Sequence, residues 1–387
     1  MIARTIAALF TLTLAAGVTQ AQAAPDAGTP GNKRSYAPDI SNTGRYVVFA
    51  SDATNLVRGD TNRKRDIFLR DVVSSTTRLV SKGVRGSRSN GHSFQPSVSD
   101  DGRYVAFLSD ATNLVPGDTN RVTDAFRADL RTGQVIRVST GARGKQANGV
   151  TSRLSMSSNG ASVAFDSAAS NLVPRYTNRA ADVFLRDIRA RAPKRLSVRP
   201  ASGSSISPDG RFVGFLMLPA PKGNESPEVA DVVGWSRATG RTVIVNDGYE
   251  YPQWGYVPSR AYASNAGVST AGYAYGTELF SEEATVTASP KRLSFGYSWG
   301  DADVTAHGLI DISRFGATAL VQDDHARPFD YDYELALLDK RGIIAYLGFD
   351  GTKAALAGDA KSVAAEKGGQ IVKWDRATGK AAVVSVN

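Results

Sequence analysis

Ser99-Asp100-Asp101-Gly102-Arg103-Tyr104-Val105-Ala106-Phe107 decides the fold, because this stretch is not alone. It answers Ser41-Asn42-Thr43-Gly44-Arg45-Tyr46-Val47-Val48-Phe49, 58 residues earlier, and returns as Ser207-Pro208-Asp209-Gly210-Arg211-Phe212-Val213-Gly214-Phe215. Around it the same spacing of 58 recurs for Asn62, Asn120 and Asn178, for Asp66, Asp124 and Asp182, and for Phe68, Phe126 and Phe184. Self-similarity at a fixed period marks a chain built from one supersecondary unit used many times.

Each unit reads as four strands. A short first strand ends at a tight turn such as Asp101-Gly102 or Asp209-Gly210, where glycine accepts the positive φ of a two-residue hairpin. An apolar second strand follows, then a long polar loop. The third strand is Asp66-Ile67-Phe68-Leu69-Arg70-Asp71 and its equivalents. A second hairpin, at Thr132-Gly133, Thr239-Gly240 or Thr378-Gly379, leads to the fourth strand. Copy four starts near Ser204, copy five near Arg260, copy six near Leu309 and copy seven near Thr352; in copy five, Glu278-Leu279-Phe280 and Lys291-Arg292-Leu293-Ser294 are expected as outer strands. One such sheet cannot bury both of its faces, so the copies must pack side by side around an axis. The expectation is an all-β fold, a β-propeller of four-stranded blades, with seven blades and six as the alternative. It occupies residues 36–387 as one domain, after a short segment at 25–35.

Residues 1–24 read as a signal peptide: Arg4 supplies a positive start, residues 6–18 are apolar and uncharged, and Ala21-Gln22-Ala23 is a small-x-small cleavage pattern. That apolar run is too short for a stable transmembrane anchor, which needs about 20 residues. A secreted or periplasmic location follows, and no cysteine is present for disulfides, thiol chemistry or lipidation. The charge, 46 − 37 = +9, favours anionic partners. Nucleic acid is not expected among them for an exported chain, and a monomer is expected.

At these residues the chain resembles the TolB-like, WD-like propeller repeat family. That family carries Ser-x-Asp-Gly-Arg-x-Val-x-Phe phrases, matched here at Ser99 to Phe107 and Ser207 to Phe215. Its Asp-x-Phe-x-x-Asp phrases are matched at Asp66 to Asp71, Asp124 to Asp129 and Asp182 to Asp187. The resemblance implies an exported bacterial propeller and speaks for fold more than for activity. TolB itself has an α/β domain before its propeller, for which there is no room here.

Several groups of residues invite a chemical reading. Asp60, Asn62 and Asp66, with Asp118, Asn120 and Asp124, place oxygen donors at positions 1, 3 and 7 of a loop, as a calcium ion would accept. The competing reading is that short polar side chains cap their own loop; Tyr176 in place of the first aspartate of copy three favours it. Asp323, Asp324, Asp330 and Asp332 form a denser acidic cluster with Glu334 and His325. Calcium is thus the one candidate ion, and no other cofactor is expected. Gly296-Tyr297-Ser298-Trp299-Gly300 matches G-x-S-x-G but lacks the strand-turn-helix setting that a nucleophile elbow requires. Arg58, Arg63, Lys64, Arg65, Arg121, Arg175 and Arg179 gather on the loops between strands two and three, and Tyr251, Trp254 and Tyr256 crowd a connection near copies four and five. The resulting expectation is a non-enzymatic binding protein whose loop face meets an envelope protein or a cell-wall polysaccharide. The alternative is a propeller hydrolase or lyase with a site near the central axis. That alternative needs converging acids or histidines on the inner strands, which read as mostly apolar and small.

Overall fold

The computed structural model describes residues 28–174, 180–218, 231–244, 347, 354–357 and 359–387 in full, and between 256 and 346 the backbone of its strands. The strands form seven four-stranded antiparallel sheets, each with its strands in chain order. The first sheet holds Ser35–Ile40, Tyr46–Ser51, Asp66–Asp71 and Thr76–Leu79; the second holds Ser93–Val98, Tyr104–Ser109, Asp124–Asp129 and Gln134–Arg137. The first strands of successive sheets approach one another, and the seventh sheet returns to pack on the first. The architecture is a β-propeller. Its ends are tied by an antiparallel bridge from Pro30 to Val386 and by Gly31 N–H donating to the Ser385 carbonyl at 3.0 Å.

The repeated residues explain this arrangement. Phe49 and Phe68 pair in register across strands two and three and stack at 6.0 Å; Phe107 with Phe126 and Phe165 with Phe184 repeat the contact. All six rings are fully buried, each contributing roughly 1.5–3 kcal/mol. Strand two is buried on both faces, as in the iBBBBB run of Tyr46–Ser51, because one face meets the preceding sheet and the other the next. Gly102 takes φ +65° in its turn, and a Cβ there would lie 2.6 Å from the Tyr46 ring of the neighbouring sheet. That glycine is required twice over, by the turn and by the packing.

The third strand of the fifth sheet runs Glu283–Ala288, paired with Lys291–Gly296, rather than through Glu278-Leu279-Phe280, which lie outside the described residues. The β-branched run Thr285, Val286, Thr287 favours that strand. The signal segment and Ser298 also lie outside the described residues. Among the described residues no helix is long and apolar enough to cross a membrane.

Candidate active site

An inner strand of a propeller has one unpaired edge, and its amides need acceptors. In sheet three the Ser155 hydroxyl accepts from Ile206 N–H of sheet four at 3.2 Å. The equivalent residue of sheet one is Asp39, which accepts from Val98 N–H of sheet two at 2.8 Å. A hydroxyl suffices for the capping task, so a carboxylate here exceeds what the fold asks. Beside it the first turns close on the axis. Asn42 donates from N to Asp100 Oδ1 (3.0 Å), and from Nδ2 to Asp100 Oδ2 (2.8 Å) and Ser158 Oγ (2.6 Å), so three sheets meet at one amide. Backbone bonds extend the ring: Asp100 N to Ser158 O, Ser158 N to Pro208 O, and Asp359 N to Asn42 O.

Burial pushes the Asp39 carboxyl up to about 6, against hydrogen bonds from Val98, Ile40 and Ser97 that stabilise its charge; the Asp100 charge adds to the rise. The charge of Asp100, from the neighbouring sheet, thus reaches Asp39. The expectation that the inner strands are mostly apolar and small is corrected at one position, Asp39, while Asp100 lies on the turn after the inner strand of sheet two and adds its charge from there.

At the other end of the same strand, Tyr36 Oη donates to Asp52 Oδ2 at 3.0 Å, and Arg65 grips Asp52 with Nε and Nη2, both at 3.1 Å. The Arg65 guanidinium lies 4.0 Å from the centroid of the Tyr36 ring, over its face. Arg65 N–H donates to Nδ1 of the exposed His92 at 3.0 Å. Burial alone would raise Asp52, yet the bonds from Arg65 and Tyr36, with the charges of Arg65 and His92, hold its carboxyl below the ordinary value. Burial and the bond to Asp52 push the Tyr36 phenol up. Between the two clusters, Ala37 sits in a bulge at φ 46°, its N–H capped by Glu366 Oε1 of sheet seven at 2.7 Å. The site is thus a column along one inner strand. It has a Tyr-Asp-Arg-His group at its loop-bearing end and the buried Asp39, within the field of Asp100, at its turn end.

The residues singled out by sequence fall elsewhere. Asp66 and Asp124 are buried and accept from Ser81 and Ser139 and from Asn62 and Asn120. Asp60 and the Asp118 side chain are buried in the same loops. Among the described residues no three or more His, Cys, Asp or Glu side chains gather as a metal-binding group. Arg58, Arg63 and Arg121 are exposed and Lys64 is half-buried. Arg63 and Arg65 lie on one loop, so this cationic rim adjoins the Tyr36 cluster. Arg175, Arg179, Tyr251, Trp254, Asp330 and Asp332 lie outside the described residues. Tyr256, Asp323 and Asp324 are placed only as strand backbone.

No family model and no curated protein matches the chain. Solved structures do. A prolyl endopeptidase aligns at 13% identity over 91% of this chain and 49% of its own, with a TM-score of 0.58, so the chain spans about half of that protein. An oligogalacturonate lyase from Vibrio parahaemolyticus aligns at 12% identity over 93% of this chain and 90% of its own, with a TM-score of 0.53. TolB from Acinetobacter baumannii aligns at 15% identity over 81% and 63%, with a TM-score of 0.41. The shared property is the propeller fold. The expectation of a non-enzymatic binding protein is contradicted by these neighbours, because the two named above with TM-scores over 0.5 are a peptidase and a lyase, which at 12–13% identity share the fold with this chain.

Proposed function

We propose that this chain is an exported propeller enzyme of the hydrolase or lyase kind, acting on an anionic glycan at the axial column of sheet one. The observation that carries the reading is Asp39, a carboxyl held near 6 beside Asp100 at the axis. An acid with that value is protonated in slightly acidic water and ionised just above it, which suits delivery of a proton to a leaving glycosidic oxygen. Hydrolysis and β-elimination share that step. Asp100, fixed by both Asn42 donors, is the second carboxylate. Arg58 and Arg63, exposed on the loop that leads to the Asp52-bound Arg65, supply positive charge for an acidic sugar at the entrance, in keeping with the net +9. Support for a propeller that works without a further catalytic domain comes from the lyase match, which covers 90% of that enzyme. Export rests on the leader at residues 1–24.

The test is turnover of oligouronates and neutral glycans by the full chain. New ultraviolet absorbance reports an unsaturated elimination product, and reducing ends without absorbance report hydrolysis. The expected result is one of these signals, lost in Asp39→Asn. Absence of both signals across acidic and neutral glycans would overturn the reading.

A further inference from the structure

The loop between strands two and three is built almost identically in the first two sheets, and one difference sets them apart. In sheet two, Asp118 and Asp124 are joined by a buried cation: Arg137 Nη2 lies 2.9 Å from Asp118 Oδ2, and its Nε lies 3.5 Å from Asp124 Oδ2. The three side chains are 6%, 3% and 1% exposed. Arg137 stands opposite Phe126 in the strand register, and sheet three keeps the same device, with Arg195 opposite Phe184 and bonded to Asp182. In sheet one the residue opposite Phe68 is Leu79, which is buried among apolar side chains. Both carboxylates remain. Asp60 is 5% exposed and Asp66 fully buried, and Asp66 feels the charge of Asp60.

Arg88 is the cation whose field reaches both acids and lowers each, but its Nε and Nη2 are directed to backbone, to Gly59 O at 2.7 Å and Arg58 O at 3.2 Å, and among the described residues it forms no ion pair with either carboxylate. Asp66 is satisfied by Ser81 and Asn62. Asp60 Oδ1 is buried and has no hydrogen-bond partner. The Asp118 Oδ1 atom is also without one, but there Oδ2 meets Arg137. A buried, unpaired carboxylate oxygen beside a second carboxylate is costly unless a positive charge joins it.

We infer that the first sheet, and not the second, binds a calcium ion at Asp60 and Asp66, in the place where the sister sheets carry an arginine. The donors at hand are oxygens only, which selects a hard cation, and a divalent ion matches two carboxylates. Calcium tolerates the irregular geometry of such a loop and completes its shell with water and carbonyl oxygens. The inference is independent of the axial chemistry, since it concerns the loop and the third strand.

The experiment is thermal unfolding and calorimetry of the full chain, stripped with chelator and then titrated with calcium. Wild type and Asp118→Asn are expected to gain several degrees in Tm and to bind one ion per chain. Asp60→Asn and Leu79→Arg are expected to show no calcium response, and metal-free L79R to melt above metal-free wild type. Either variant alone suffices if the other does not fold. A wild-type Tm indifferent to calcium, or one that follows pH alone, overturns the site. So does a calcium shift that survives in L79R.

Discussion

Sheets one and two are the same four strands written twice, 58 residues apart, and they part at a few positions that matter. Where sheet two has Ser97, sheet one has Asp39; where sheet two has Arg137, sheet one has Leu79; the paired turn residues are Asp100 and Asn42. The residues that repeat (Phe49 and Phe107, Asp66 and Asp124, Gly44 and Gly102) all serve packing, strand ends or turns. In a repeat protein the sister copy is an internal control: it shows which side chain the fold alone requires. A departure that costs burial of a charge, as at Asp39, marks a position held for another purpose.

Three substitutions sharpen the contrast. Asp39→Ser makes sheet one copy sheet two, and is expected to fold while losing about 10²–10⁴ in turnover. Ser155→Ala at the equivalent position of sheet three, whose hydroxyl accepts from Ile206 N–H, is expected to keep that turnover, and steady-state assays of the pair decide the matter. Arg137→Leu makes sheet two copy sheet one. It leaves Asp118 and Asp124 without their buried counter-charge and is expected to cost about 3–5 kcal/mol in denaturant unfolding. An unchanged midpoint would show that the loops are equivalent after all. The glycines separate packing from turn geometry. Gly102→Ala meets both φ +65° and the Tyr46 ring, for a loss on the order of 2–4 kcal/mol. Gly117→Ala, at φ +70° with open space around it, should lose only about 1 kcal/mol.

Much of the fold was legible because its determinants are local and repeated. A glycine turn, a phenylalanine in strand three and an aspartate at that strand's start recur at one spacing, and each occupies the expected place. The fifth sheet was harder. Its third strand is set by the pairing of Thr285 with Ser294 and Val286 with Leu293 and carries no Asp-x-Phe phrase to mark it. The site was less legible than the fold. Asp39 lies beyond a bulge at Ala37 that shifts the register of its strand, and its partner Asp100 comes from the next sheet. Tyr36, Asp52, Arg65 and His92 likewise gather from three strand ends and a loop. One signal was available beforehand, namely that Asp39 breaks the serine found at 97 and 155. The enzyme reading carried less weight in the sequence because the inner strands are mostly apolar and small, with Asp39 a single acid among them.

The most direct test of the axial acid is the pH dependence of kcat/KM on a turned-over glycan, measured from pH 4 to 9 in wild type and in Asp39→Ser. Because the folded carboxyl titrates near 6, above its unfolded value of about 3.9, it holds its proton more tightly in the native state. The stability it contributes is complete below about pH 4 and is lost as pH rises through about 6. Its capacity to donate a proton fades over the upper part of the same window. The account therefore predicts a wild-type profile that falls above about pH 6, and a residual Asp39→Ser profile without that limb. An identical limb in both proteins would contradict it.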